Sequence, residues 1–313
     1  MADRVLTAAP GRPPTPVVRW LKRLRASQPF NVVATTAARA CLRWVPGPRE
    51  LVIRHLHRVG SVECPLPNGR VLRMWSEGDD WISNQLYWRG WNGYEPEVAP
   101  LLLEMAADGG IVIDVGAYVG YFSLLAGLAN PASRVFAFEP MPRIFARLQR
   151  NVEGNRLSNV TCVEAALGAR DGSAEIHHVD IALPTSSSLS CEFMQASARD
   201  IRSTRVDVLT LDGFLAARGL TGVRLVKMDT EGTEPDVLAG MAETLARDRP
   251  AIFCEVLAGT KTADALEERL RPLGYVYYLL TPRGPIPRDS IAGDEQNRNH
   301  LFTSSPLKKE GGR

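Results

Sequence analysis

No run in the 313-residue chain approaches the roughly 18 consecutive apolar residues that cross a bilayer. The first 30 residues also lack the compact apolar stretch and small-residue cleavage site of a secretory signal, so the expected location is cytoplasmic. Cysteine is scarce and scattered: Cys41, Cys64, Cys162, Cys191 and Cys254 are odd in number, with no C-x-x-C pair and no nearby histidine. That spacing argues against a disulfide framework or a zinc site and predicts reduced thiols, packed mostly as small hydrophobes. A complete G-x-G-x-x-G fingerprint is missing, as is the Asn/Asp-Pro-Pro-Tyr/Phe turn that suits methylation of a planar amine.

What is present suits a soluble globular chain with a full core, 45% hydrophobic and 23% charged. Net charge is +2 but unevenly placed. Residues 1–60 hold eleven Lys and Arg against Asp3 and Glu50, a net +9, which leaves about −7 for the remainder. Trp20, Leu21 and Leu24 give part of this basic stretch helical spacing. It reads as a solvated arm with a packing helix, or as a surface for a membrane, nucleic acid or an acidic carrier protein.

Residues 1–15 and 305–313 read as a disordered arm and tail, rich in Pro, Arg, Ser and Lys. Residues 16–95 read as a helical cap followed by a hairpin turning at Pro67-Asn68-Gly69. Over 96–304, apolar strands alternate with helical stretches. The expected strands are IVIDV (111–115), RVFAFE (134–139), VTCVEAAL (160–167), RLVKMD (224–229), AIFCEV (251–256), YVYYLL (275–280) and HLFTS (300–304). The intervening helices are expected near 120–130, 142–155, 235–247 and 262–272. This rhythm predicts an α/β domain, a doubly wound, mostly parallel seven-stranded sheet of Rossmann-like kind. More than fifty residues between VTCVEAAL and RLVKMD predict an extra hairpin and a polar loop, PTSSSLS, near the sheet's C-terminal edge.

Ligands of open α/β sheets bind beyond the strand C-termini. There the first strand runs into DVGAYVG, where Gly116 and Gly120 permit a tight turn and a close ligand approach. Asp114 would repel a pyrophosphate but attract a cation such as the sulfonium of S-adenosylmethionine. Glu139 ends the next strand, 25 residues later, placed to accept both ribose hydroxyls. A nicotinamide-binding turn is the competing reading.

With these stand DVGAYVGYFSLLA, VFAFEPMPRIFARLQRNV, LTLDGFL and VKMDTEGTEPDVLAGM, in this order. In them the chain resembles the FkbM-type S-adenosylmethionine-dependent methyltransferases from about Glu95 to Thr303, with weaker likeness back to Ser61. The resemblance implies a class I methyltransferase fold and transfer to hydroxyl groups of sugars or of polyketide, peptide or glycoside natural products. It says nothing of the basic arm.

The candidate cofactor residues are Glu95, Asp114, Gly116, Ala117, Tyr118, Gly120, Glu139, Pro140, Ala165 and Asp229. The catalytic candidates are Asp229, to orient or deprotonate the acceptor hydroxyl, Glu231, to shape a polar pocket, and Lys227, to pair with one of the acids. His178, Ser187, Ser188, Glu231 and Glu255 are the candidate acceptor contacts. Glu234 reads better as the acid opening a helix, beside Pro235. No metal ligand is assigned, although Asp229, Glu231 and Glu255 offer hard oxygens suited to magnesium. The segment DDWISNQLYWRGWNGYEPE supplies aromatics that either pack the cap or wall the cofactor. The expected partner is a small hydroxylated acceptor, free or carrier- or lipid-linked, with a homodimer possible and nucleic acid disfavoured by the acidic catalytic part. The alternatives are an NAD-dependent oxidoreductase and a non-catalytic S-adenosylmethionine-binding module that docks a carrier protein.

Overall fold

The computed structural model describes residues 27–42, 49–179, 187–188, 201–259 and 261–307. The expected arm over 1–15, the segment holding Trp20, Leu21 and Leu24, and most of the polar loop lie outside them. Of the expected tail, residues 305–307 are described. There the Leu307 N–H donates to the Tyr278 hydroxyl at 2.9 Å, and Leu307 packs on the core.

The cap begins with helices α1 (Gln28–Cys41) and α2 (Arg49–His55). A hairpin of β1 (Val59–Pro65) and β2 (Val71–Glu77) follows, turning at Pro67-Asn68-Gly69 as the sequence predicts. Alternation sends Val62, Cys64, Leu72 and Met74 inward. The outer edge of β2 is closed by asparagines rather than by another strand. Asn151 Oδ1 accepts from the Trp75 N–H and Asn155 Oδ1 from the Arg73 N–H, both at 2.8 Å. The aromatic segment then forms a helix that sequence reading passed over, α3 (Trp81–Arg89). It is started by Asp80, whose carboxylate accepts from the Ser83 N–H at 2.6 Å.

The main domain runs α4 (Ala99–Ala107), β3 (Ile111–Val115), α5 (Tyr121–Ala129), β4 (Arg134–Phe138), α6 (Pro142–Gly154) and β5 (Val160–Val163). After an insertion come β10 (Val223–Met228), α8 (Glu234–Ala239), α9 (Ala242–Asp248), β11 (Ala251–Glu255), α10 (Thr262–Leu270), β12 (Val276–Thr281), β13 (Gly284–Arg288) and β14 (Asn299–Thr303). The main sheet has the order β13-β12-β14-β11-β10-β3-β4-β5. Strands β5, β4, β3, β10 and β11 are parallel, and β14, β12 and β13 join by antiparallel pairings. This is an α/β class I methyltransferase-type, Rossmann-like sheet. The eighth strand, GPIPR, was not expected because two prolines weaken any strand signal. It lies at the sheet edge, where missing N–H groups cost least.

Two other expectations change. VTCVEAAL is not one strand: β5 ends at Val163, and Ala166–Leu167 (β6) starts a second sheet of order β6-β9-β7-β8. That sheet contains the expected hairpin, β7 (Gly172–Val179) against β9 (Ile201–Leu209), with β8 (Ser187–Ser188) at its edge. After β9, TLDGFL forms the short helix α7 (Leu211–Ala216), capped by Thr210. The expected helix over 235–247 divides at Gly240, where an added Cβ would lie 2.0 Å from the Gly168 carbonyl oxygen.

Both faces of the main sheet are buried. Along β3, Ile111, Ile113 and Val115 enter one cluster with β4, β11 and α7–α10, whereas Val112 enters the other, with α4, α5, α6 and the hairpin. Asp114 and Lys227 belong to this second face, beneath α5. The expected burial of the cysteines holds in part: Cys64 and Cys254 are buried, Cys162 is half-buried and Cys41 is exposed, and Cys191 lies outside the described residues.

Candidate active site

Strand β3 pairs with β4 on one side and β10 on the other, so helices leave the sheet in opposite directions from this point. A crevice opens at the strand C-termini there. It is a cavity of about 640 Å³, floored by Asp114, Phe138 and Lys227 and bounded by Tyr94 and Glu95, by Trp81 and Ile82 of α3, and by Ile176 of β7. Of the candidate cofactor residues, all except Gly120 line it, and so do Lys227, Glu231 and Glu255.

The two glycines serve the protein's own packing. Gly116 has φ +73°, and a Cβ there would lie 2.1 Å from the Asp229 carbonyl oxygen; Gly120 has φ +93° and would meet Leu148. The first glycine thus lets the β3 loop touch the β10 loop, whose Asp229 N–H donates to Val115 O at 3.1 Å. We expect Gly116→Ala to lower the melting temperature by on the order of 10 °C, because the clashing group is a backbone carbonyl and the φ is left-handed. Thermal denaturation of the variant checks this, and an unchanged midpoint refutes it.

Asp114 is buried, with one carboxylate oxygen accepting from the Ser123 hydroxyl of α5 at 2.5 Å. Burial raises its carboxyl to about 6, against the opposing pull of Ser123 and Lys227. Glu139 is also buried. Its two oxygens accept from the Tyr118 N–H at 3.0 Å and the Met141 N–H at 2.9 Å, which fixes the carboxylate's plane and leaves lone pairs on both oxygens toward the cavity. Burial raises it to about 7.

Lys227, in register with Asp114, is 2% exposed, yet its Nζ makes no hydrogen bond. It stands 3.6 Å from Asp229 Oδ2 and 5.1 Å above the Phe122 ring. Desolvation alone would lower its pKa, but Asp229, Glu95, Asp114 and Glu255 hold it above the ordinary lysine value, so it stays charged. Glu95, one of the candidate cofactor residues, has φ +42° and a buried, unpartnered Oε2. Its carboxyl is pushed up to about 7 by burial.

Carboxylate oxygens of Asp229, Glu231 and Glu255 lie within 4.8 Å of one another. Burial, then Asp229 and Glu231, raise Glu255 to about 8, and burial raises Glu231 to about 7. Arg298, which nothing in the sequence pattern marked, stands 3.6 Å from Glu255. Glu231 has φ +57°, a left-handed backbone that turns the loop toward the following Gly232. Glu234 opens α8, as expected of it, and also holds that loop: its Oε1 accepts from the N–H groups of Thr230 at 2.9 Å and Gly232 at 3.2 Å.

The remaining acceptor candidates are those on β7 and β8. On β7 it is Ile176 that lines the cavity, and the side chains of His178, Ser187 and Ser188 lie outside the described residues. The aromatic segment does both things asked of it. Tyr87 and Trp88 pack the cap, while Trp81 and Tyr94 wall the cavity.

A family model described as the methyltransferase FkbM domain matches residues 114–277, from the Asp114 loop through β11 into β12. The chain is 30% identical over 198 residues to the 31-O-demethyl-FK506 methyltransferase FkbM of Streptomyces tacrolimicus, covering 56% of this chain and 72% of that protein. It is 31% identical over 148 residues to Methyltransferase 1 of Beauveria bassiana, covering 43% of this chain and 59% of that one. Against the hexuronic acid methyltransferase AglP of Haloferax volcanii it is 28% identical over 170 residues, covering 54% and 65%. For the last two, the chain thus spans less than two thirds of the relative's length. The matched range encloses Asp114, Glu139, Lys227, Asp229, Glu231 and Glu255, and with them the chain belongs to the FkbM family of S-adenosylmethionine-dependent methyltransferases.

Proposed function

We propose that the protein transfers a methyl group from S-adenosylmethionine to a hydroxyl of a sugar or natural-product acceptor. The observation that carries this reading is one cavity holding both Glu139, its oxygens aligned for two hydroxyls, and Asp229, beside a buried ammonium at 3.6 Å. The unpartnered buried Glu95 Oε2 and the Asp114 carboxylate suit a cationic ligand, so the residues fit S-adenosylmethionine. When bound, that cofactor supplies an electrophilic methyl on sulfonium. Asp229 receives the acceptor's proton at its carboxylate, and Lys227 Nζ stands 3.6 Å from that carboxylate. Tyr94, Phe122 and Ile176 give the cavity an apolar lining. Names among the relatives support a hydroxyl acceptor, since FkbM of S. tacrolimicus is a 31-O-demethyl-FK506 methyltransferase and NoeI of Sinorhizobium fredii a 2-O-methyltransferase.

The acid cluster does not fit magnesium. Lys227 and Arg298 stand beside Asp229 and Glu255, and Glu231 and Glu255 keep protons near neutrality. A divalent ion would have to displace both cations and both protons. Incubation of the protein with S-adenosylmethionine and hydroxylated candidate acceptors is expected to add one methyl by mass, equally with EDTA or with added magnesium. Methyl transfer that stops with chelator and returns with magnesium overturns the metal-free arrangement. Binding of NAD in place of S-adenosylmethionine overturns the whole reading.

A further inference from the structure

Two oppositely charged side chains reach the cavity with an atom unspent. Lys227 Nζ in the floor and Glu95 Oε2 in the wall are both buried and have no hydrogen-bond partner among the described residues. Buried polar atoms almost always find a partner, and an orphan on a charged group costs more than one on a neutral group. Neither position is incidental. Lys227 is fixed in β10 between Asp114 of β3 and Phe253 of β11, its register partners. Glu95 takes a left-handed φ of +42°, and its carbonyl accepts from the N–H groups of Val98 at 2.9 Å and Ala99 at 3.0 Å, at the start of α4. Strained backbone at a non-glycine residue persists where the surroundings hold it, and such positions cluster at ligand sites.

The two groups sense each other without joining. Burial pushes the Glu95 carboxyl up to about 7 against the pull of Lys227. Burial alone would lower Lys227, but Asp229 and then Glu95 hold it charged. The ion pair that Lys227 makes is with Asp229, at 3.6 Å. An ammonium and a carboxylate that face one cavity separately are complementary to a ligand carrying the reverse pair, a carboxylate beside an ammonium. That pair is the head of an α-amino acid, and S-adenosylmethionine ends in one. Lys227 is the register neighbour of Asp114, and adjacent strands lie only about 4.8 Å apart, so it stands beside the turn that follows β3.

We propose that Lys227 and Glu95 hold the two ends of that head, Lys227 Nζ donating to the carboxylate of S-adenosylmethionine and Glu95 Oε2 accepting from its ammonium. With the cofactor of the methyl-transfer reading, on which this assignment rests, Lys227 gains a binding duty distinct from that of Asp229, two residues on. Affinity then depends on the amino-acid end of the cofactor as well as on the ribose at Glu139.

Calorimetry on the full-length protein compares S-adenosylhomocysteine with 5′-methylthioadenosine, two thioethers of adenosine of which only the first carries the amino-acid head. The wild type is expected to bind S-adenosylhomocysteine at least about a hundredfold more tightly. Lys227→Met keeps the length of the side chain without its charge. It should weaken S-adenosylhomocysteine by about tenfold or more and leave 5′-methylthioadenosine within about twofold, which also reports that the variant is folded. Glu95→Gln lies outside the sheet and is expected to act in the same direction, so it serves if the Lys227 variant does not fold. In the wild type, decarboxylated S-adenosylmethionine should bind at least about tenfold more weakly than S-adenosylmethionine, and Lys227→Met should bring the two together. Equal affinity of the wild type for both thioethers, or a Lys227→Met that weakens both alike or neither, overturns the proposal. So does a variant that keeps S-adenosylhomocysteine affinity and loses turnover, which assigns Lys227 to the acceptor instead. A wild type that binds none of these adenosine compounds is a separate failure, that of the cofactor reading itself, and removes the proposal with it.

Discussion

Asp229→Asn is expected to cut methyl transfer by about 10²- to 10⁴-fold, because the amide keeps size and most hydrogen bonding but cannot take the acceptor's proton. Affinity for S-adenosylmethionine should stay near wild type, since Asp114 and Glu139 carry the binding charge on other strands. Asp229 also balances Lys227 at 3.6 Å, so the variant leaves a buried ammonium with less compensation and some loss of melting temperature follows. The decisive quantity is the rate per folded molecule, measured on the acceptor found by methyl mass shift. A purely structural aspartate would lower stability and leave that rate intact. Near-normal turnover refutes the catalytic role.

Removing Glu139 should act on binding rather than on chemistry. Glu139→Ala removes charge-assisted hydrogen bonds of about 1.5–3 kcal/mol each, so affinity should fall roughly tenfold to a hundredfold. The wild type should also show a defined pH dependence. Burial holds Glu139 at about 7, and the ionised carboxylate is the form that accepts ribose hydroxyls and attracts a sulfonium. Below that value binding must first expel a proton, so affinity is weaker there, rises as pH passes through it and levels off above. In Glu139→Ala the dependence that remains belongs to Asp114, at about 6, and Glu95, at about 7, so the part that the substitution removes is Glu139's own. Calorimetry in buffers of different ionisation heat counts the released proton. A pH-independent affinity in the wild type refutes the assignment.

The parallel part of the sheet was legible because its strands are continuous apolar runs buried on both faces, and each ends in a residue the cavity uses: Asp114 within IVIDV, Glu139 after RVFAF, Asp229 after VRLVKM. What stayed hidden was set by tertiary contact. Nothing local distinguishes Arg298, which reaches Glu255 only because the chain before β14 crosses the cavity. Helix α4 precedes β3 as APLLLEMAA, so uniformly apolar that its period is blurred, and α3 was obscured by its aromatics. The glycines of DVGAYVG were rightly marked as turns, but the protein's own close approach there was not foreseen. The atom that Gly116 admits is the Asp229 carbonyl of an adjacent loop, a contact no single-sequence pattern encodes. Left-handed backbone at Glu95 and Glu231 was likewise invisible, since neither residue type favours it.

The asparagine-closed edge of β2 bears on how such enzymes can be recombined. Asn151 and Asn155 of α6 satisfy backbone groups of the hairpin, and Val62, Cys64, Leu72 and Met74 share a hydrophobic cluster with Leu124 and Leu148 of α5 and α6. A graft that exchanged the cap between relatives would therefore strip two N–H groups of their acceptors and leave a half-filled core on each side of the join. The cap's contributions to the cavity wall, Trp81 and Arg54, therefore travel with the whole fold, and altering them calls for substitutions in place rather than transplantation of the cap.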